Sequence, residues 1–536
     1  MSASPGLAKG EAFLIKRAEP LVIEKKAITD PKAEIIRFHS ALEIVKIEIS
    51  QVKAQMSKRL SENELEIYDA HISILEDPEL SEKTSTLIST QNCCADFALH
   101  SVANEYMQLL LQLDDEYLRA RAKDIKEVSN AVIKALQGKI DTVLKFEKPI
   151  ILVAHTISTH LISTLDVRFV MGVVTAQGGA TDHSSILYNA MGIPALVGVG
   201  KELECVQDAT SILLDAENGF VKIAPDEKAV QAFEEQYEMR LSIEKRNLEK
   251  SHLPAKTLAG KQLKVYANIG SVKEAREARS SGADGVGLLR TEFCFLERNS
   301  LPTEEEQYEM YKAMLDELPN MTVVIRLIDI GSDKKVSYIK MEEEENPALG
   351  VRALRLGFQQ YETLLKPQIR ALLRLSASYS IQLLFPMIAT PKDLQQIKEA
   401  VHEEMNSLEV AGTIVDKSIP MGIMVEVPNV ALLPELFVDE VDFFSFGTND
   451  LAQYMMAADR TSASVSEYIP EAIPGIVRLI ENVVQVAHEK GKWVGICGGL
   501  AADTNLTETF IGMGVDELSM PSTLIPKMKA FIRLLN

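Results

Sequence analysis

Between residues 24 and 142 apolar side chains recur at helical spacing and glycine is almost absent. Phe38, Leu42, Val45, Ile49, Val52 and Met56 fall at alternating steps of four and three, the stripe of a helix packed on other helices rather than of an extended coiled coil. This spacing predicts an antiparallel helical bundle. On both sides of it the period shortens. Glu11 to Lys16 reads as a strand, and from about residue 147 come Ile150 to Val153, Phe169 to Val174, Ala195 to Val197 and Ser211 to Leu214, separated by helical or glycine-rich pieces. Asn218-Gly219 ahead of Phe220 to Ile223 is a hairpin signal. The alternation predicts a small α/β domain over 1–23 and 143–226, with the bundle, 24–142, inserted into it. Residues 227–258 read as a polar linker helix.

Over 259–536 eight short apolar runs alternate with helical sequence: Val265 to Ile269, Gly285 to Leu289, Val323 to Ile328, Leu383 to Ile388, Gly422 to Val427, Asp442 to Phe446, Val494 to Ile496 and Glu517 to Met520. That number fits a (β/α)8 TIM barrel. Most runs end in polar or reactive residues: Arg290, Arg326, Glu426, Asn449-Asp450 and Cys497. In a parallel barrel the strand C-termini share one mouth, so these residues are expected to share a site.

Composition narrows the class. The chain has 536 residues, enough for several domains, with ordinary globular proportions and no apolar run long enough to span a membrane. The start lacks a basic flank followed by an apolar segment, so a cytoplasmic protein is expected. Five scattered cysteines without C-x-x-C spacing disfavour disulfides and a zinc site. With 56 basic and 77 acidic residues the formal charge is −21, which disfavours nucleic acid or an anionic membrane as partner. An anionic substrate must then be held by a local group of cations.

Gly178-Gly179-Ala180-Thr181-Asp182-His183-Ser184-Ser185 places a histidine after a glycine pair, at an expected strand-to-helix turn. Free N–H groups and hydroxyls at a helix start suit a phosphoryl group, and neutral imidazole is a competent nucleophile near pH 7. By itself the segment reads more readily as a surface histidine in an ordinary glycine turn. The barrel motifs add Arg290, Arg326, Lys334, Arg352 and Arg460, whose forks match carboxylate and phosphate oxygens. Glu426 and Asp450 supply two hard oxygen ligands of the kind that bind Mg²⁺ with water and phosphate completing the shell; salt bridges to Arg or Lys are the alternative.

Together these residues resemble Enzyme I, the phosphoenolpyruvate-protein phosphotransferase family. The resemblance is carried most specifically by Val441 to Arg460, by the histidine loop, and by Glu66 to Glu79, which is similar to the family's bundle for docking the carrier HPr. It implies a swivelling phosphohistidine α/β domain with an inserted carrier-binding bundle, then a (β/α)8 barrel of the phosphoenolpyruvate/pyruvate type that also dimerises. It implies that His183 is phosphorylated from phosphoenolpyruvate with release of pyruvate, and passes the group to an HPr-like carrier in the first step of sugar uptake. Arg290, Arg326, Arg352, Lys334, Asn449, Asp450 and Arg460 would hold phosphoenolpyruvate, Glu426 and Asp450 would bind Mg²⁺, and Cys497 would protonate the enolate carbon. The chain departs from the family pattern at Ala180, Asp182, Ser332 and Gly499, and ends without the usual helical tail. Those departures point to the alternative of a divergent regulatory paralogue, of a nitrogen-type chain, with weak phosphotransfer.

Overall fold

The computed structural model describes residues 1–15, 23–56, 62–111, 116–138, 146, 148–179, 182–296, 298, 300–331, 336, 338–342, 344–460, 462 and 465–536. Two compact units divide the chain between Met239 and Arg240.

The first unit carries a seven-stranded sheet of β1 (Ser2–Ser4), β2 (Leu7–Leu14), β3 (Ile150–Ala154), β4 (Val170–Thr175), β5 (Ala195–Leu196), β6 (Ser211–Asp215) and β7 (Phe220–Ile223), in the order β1-β5-β4-β3-β2-β6-β7. β2 pairs in parallel with β3, yet the chain between them carries α1 (Pro31–Met56), α2 (Glu62–Leu75), α3 (Pro78–Gln91), α4 (Ala95–Leu111) and α5 (Glu116–Leu136). Side chains alternate across β3 with the period of two expected of a sheet covered on both faces. Ile150 and Leu152 join Phe38, Val45 and Leu99 of the helices in one core, while Ile151 and Val153 face Ala8, Ala12 and Leu214 in another. The predicted first strand begins earlier than its apolar pattern suggested, at Leu7, because the small residues Ala8 and Gly10 fit where β2 meets β6 and β3. β1, built of serine and alanine, carries no such pattern.

α6 (Thr159–Ser163) follows β3, and α7 (His183–Ala190) follows β4. α8 (Glu227–Glu249) is the predicted polar helix, with Phe233 as its one buried residue.

In the second unit β8 (Ala255–Lys256) lies antiparallel on the first of eight parallel strands: β9 (Gln262–Ile269), β10 (Val286–Arg290), β11 (Val323–Arg326), β12 (Ile381–Phe385), β13 (Met421–Val425), β14 (Phe443–Phe446), β15 (Trp493–Ile496) and β16 (Glu517–Met520). β16 pairs back onto β9, so the barrel is closed. Leu288, Val324, Leu384, Met424, Phe443 and Cys497 fill the interior, where Phe443 and Trp493 stack with ring centroids 4.4 Å apart. Three strands, β11, β12 and β13, end sooner than their apolar runs. β11 stops at Arg326, and the Ile328 N–H donates to Gln368 Oε1 at 2.9 Å instead of continuing the ladder. β12 stops at Phe385 because Met387 takes φ +55°, a left-handed conformation that a strand cannot hold.

Candidate active site

Arg290 and Arg326 are the last residues of adjacent strands and stand level in the β10–β11 register. Glu426 and Cys497 directly follow β13 and β15, while Asp450 lies in the first turn of the helix Thr448–Met456 that follows β14, not at the strand end. The C-terminal mouth of the barrel therefore gathers them, as the strand-end pattern predicts.

At its centre is a buried ionic network. Arg326 meets Glu292 Oε1 at 2.8 Å and Asp329 Oδ2 at 3.0 Å; Arg352, 1% exposed, meets Asp329 Oδ1 at 3.0 Å and Asp450 Oδ1 at 3.4 Å. Arg460 reaches Asp450 Oδ2 at 3.5 Å, and the Tyr454 hydroxyl lies 3.3 Å from Arg352. Burial works to discharge Arg326, but Glu292, Asp329 and Glu426 outweigh it and hold the guanidinium charged. Taking ions out of water costs several kcal/mol each, and only close, well-bonded partners offset that. Such a network is expensive as mere scaffolding and useful as a rigid frame for a multiply charged ligand.

Glu426 is the exception to this pairing. Its Oε1 accepts the Met387 N–H at 2.6 Å, which the left-handed backbone at Met387 delivers, but its Oε2 is buried with no hydrogen-bond partner. Burial pushes its pKa up to about 8, with Asp329 and Asp450 adding repulsion and Arg326 opposing it. A buried carboxylate in that state either keeps its proton or takes a cation. Among the described residues no group of three or more His, Cys, Asp or Glu is arranged to hold a metal by itself. Glu426 with Asp450 is thus a partial ligand set, which suits Mg²⁺ completed by water and substrate oxygens.

Cys497 lies inside the barrel, and its thiol donates to the Phe446 carbonyl oxygen at 3.4 Å. Burial pushes its pKa up to about 12, so at neutral pH it holds its proton. Asn449 Oδ1 accepts the Gly499 N–H at 3.1 Å, tying the loop after β14 to that after β15. A Cβ at 499 would come 3.0 Å from that same oxygen.

Arg290 is not drawn into the network. It is partly exposed, 3.9 Å from Glu274 Oε1 and stacked 5.0 Å from the Phe293 ring, at the rim. Lys334, Ser332 and Ala180 lie outside the described residues. Glu292, Asp329 and Tyr454 are site residues that the sequence reading passed over. Glu292 and Asp329 lie in the same motifs as Arg290 and Arg326, and the i,i+3 step from Arg326 to Asp329 was the available signal.

In the first unit the backbone of His183 opens α7 with Asp182 as its N-cap residue, the expected strand-to-helix turn. Asp182 Oδ2 accepts the Gly179 N–H at 2.9 Å and Ser185 Oγ donates to the Gly179 carbonyl oxygen at 2.6 Å, closing the loop. The carboxylate at 182 thus has a local structural task. The His183 side chain is outside what the structure describes.

Three models of phosphoenolpyruvate-utilising enzymes match in chain order: the N-terminal region over residues 1–121, the mobile domain over 146–219 and the PEP-binding domain over 244–536. Barrel, mouth and matches together define a phosphoenolpyruvate-utilising enzyme. The phosphoenolpyruvate-protein phosphotransferase of Staphylococcus carnosus (strain TM300) is 37% identical over 100% of this chain and 93% of its own length. That of Bacillus subtilis (strain 168) is 37% identical over 98% and 92%, and that of Listeria innocua 38% over 100% and 94%. The chain belongs to the phosphoenolpyruvate-protein phosphotransferase family.

Proposed function

We propose that this enzyme binds phosphoenolpyruvate at the barrel mouth, transfers its phosphoryl group to His183 with formation of pyruvate, and passes the group on to a histidine of an HPr-like carrier protein. The observation that carries the reading is the buried Arg326–Arg352 network beside a carboxylate with one unpartnered oxygen. Arg326, Arg352, Arg460 and Lys334 would fix and neutralise the carboxylate and phosphate groups, with Arg290 at the rim and Asn449 joining two loops beside them. Held by carboxylates, these guanidinium groups are pre-oriented and need little reorganisation when charge moves onto the bridging oxygen. Glu426 and Asp450 would hold Mg²⁺, which when bound neutralises charge on the phosphoryl oxygens.

His183 contributes the attacking ring nitrogen. The phosphorus–oxygen bond to the enol breaks as the phosphorus–nitrogen bond forms, leaving an enolate. Cys497, protonated by virtue of its burial, would deliver a proton to the enolate carbon and be reprotonated afterwards. A single histidine serves both the barrel and the carrier in turn, so the domain that bears it must move. No helix among the described residues is long and apolar enough to cross a membrane, which agrees with a cytoplasmic enzyme. A homodimer through the barrel is the assembly proposed. The direct test is incubation of enzyme, phosphoenolpyruvate, Mg²⁺ and HPr: pyruvate release matched by phosphoryl-HPr is expected, and a carrier that stays unlabelled would refute the transfer step.

Two outcomes follow from the site. At pH 7 Glu426, its pKa raised to about 8 in the metal-free protein, is mostly protonated. Mg²⁺ must displace that proton, so calorimetry in buffers of different ionisation heat is expected to show release of about one proton per chain at pH 7. The release should fade to none above pH 9, and should vanish at all pH values in Glu426→Gln. Cys497→Ala should slow pyruvate formation by about 10²-fold or more, the usual contribution of a general acid. In D₂O the same variant should add deuterium to either face of the enolate, which chirally labelled substrate would reveal.

A further inference from the structure

β9 turns Val265, Ala267 and Ile269 outward into the core shared with the surrounding helices, so Asn268, one residue from the strand's end, faces the barrel interior at the mouth. Its side-chain amide reaches past that strand to two others. Nδ2 donates to the Cys497 carbonyl oxygen at 3.1 Å and to the Ser519 carbonyl oxygen at 3.4 Å, and Oδ1 accepts from Ser519 Oγ at 2.7 Å. Ser519 is fully buried in β16. Two carbonyl oxygens at one end of the amide and a hydroxyl at the other fix which end is which, because a flipped amide would set oxygen against oxygen twice.

The Cys497 carbonyl lies just beyond the last ladder pairs of β15, Phe446 with Ile496 on one side and Ile496 with Leu518 on the other. No strand bond reaches it, and the Asn268 amide takes that place. The Cys497 N–H is held separately, donating to the Phe446 carbonyl oxygen at 3.0 Å. Residue 497 is thus gripped by β14 at its N–H and by β9 at its C=O. The next residue has little latitude either, since a Cβ at Gly498 would lie 2.1 Å from Thr448 Oγ1. A backbone pinned in this way sets the direction in which the thiol projects. Delivery of a proton to carbon requires the acid to stand over one face of a planar enolate, and a misplacement of about 1 Å can cost 10²-fold in rate.

We propose that Asn268 is a positioning residue for proton delivery by Cys497, with Ser519 orienting its amide. This role rests on the mechanism proposed above for the mouth. Asn268 moves no proton itself. It fixes the peptide that carries the thiol, so that the S–H bond breaks as a C–H bond forms on one face of the enolate, leaving a thiolate to be reprotonated from solvent.

Phosphoenolpyruvate tritiated at one vinylic position and turned over in D₂O yields pyruvate with a chiral methyl group wherever protonation is one-sided. Wild-type enzyme should give one enantiomer in large excess. Asn268→Ala should bring the ratio toward equality and slow pyruvate formation by about 10-fold or more, with KM for phosphoenolpyruvate within about twofold of wild type. Asn268→Asp keeps an acceptor for Ser519 but offers the Cys497 carbonyl no donor, and should behave as the alanine variant. Ser519→Ala leaves that donor in place and should fall between. A full enantiomeric excess in the Asn268 variants, whatever their stability, would overturn the assignment, for a merely structural tie would lower stability and leave the ratio alone. Retention of the excess in Cys497→Ala would instead refute the reading of Cys497 as donor, so the two failures are told apart.

Discussion

Arg326→Met is expected to cost the barrel about 3–5 kcal/mol in urea unfolding and to abolish phosphoenolpyruvate-dependent pyruvate release. Arg326 is 7% exposed and engages Glu292 and Asp329 at 2.8 and 3.0 Å, so its removal strands Glu292 and leaves Asp329 to Arg352 alone, both still buried beside Glu426. The price of a broken buried pair falls mainly on the partner left behind, which is why the effect exceeds that of any exposed bridge in this chain. Arg326→Lys separates stability from chemistry. It keeps the charge but replaces a planar fork by a point charge, so it should recover much of the stability while phosphoryl transfer stays down by about 10²–10³-fold. A lysine variant as active as wild type would show that the fork geometry at this position does not matter.

His183→Ala should remove turnover while leaving binding intact. With the nucleophile gone, transfer from phosphoenolpyruvate should fall by about 10⁴-fold or more, the scale seen when a nucleophile is deleted. Phosphoenolpyruvate should still bind with an affinity within about twofold of wild type, because the residues proposed to hold it belong to the barrel, a compact unit of its own. The Arg326 variants lose binding and transfer together, whereas His183→Ala loses transfer alone. Measuring both quantities on both variants therefore assigns the two roles without ambiguity. An alanine variant that still released pyruvate at the wild-type rate would move the nucleophile elsewhere.

The barrel was legible because a parallel strand buried on both faces must be a short apolar run, and a charge closing such a run has only the mouth in which to lie. Arg290, Arg326, Glu426 and Cys497 each follow that rule. The bundle was legible from the Phe38-to-Met56 stripe, which packs against the sheet through the same faces that the period selects. What escaped was set by geometry that no period encodes. The acid partners of the arginines depend on how the chain turns after β10 and β11, so Glu292 and Asp329 were visible as letters but not as counterions. The left-handed residue at Met387 ends β12 and aims an N–H at Glu426, although methionine carries no mark of that conformation. Arg290 was read as equal to Arg326, but Glu274 and Phe293 keep it at the rim. β1, of serine and alanine, is held by its pairing with β5, and the start of β2 pairs with β6 and buries only Leu7 and Ala8, too short a stretch to read as an apolar run.

Asp182 illustrates how a departure from the family pattern takes its meaning from structure. Its hydrogen bond to the Gly179 N–H gives it the task of closing the loop that presents His183.

The most direct measurement is the site of the phosphoryl group itself. Wild-type enzyme treated with ³²P-phosphoenolpyruvate and Mg²⁺, digested under mildly alkaline conditions and sequenced by mass spectrometry, should carry one acid-labile, alkali-stable phosphoryl group on the peptide containing His183. An acid-stable label, or an acid-labile one on any other histidine, would contradict the account.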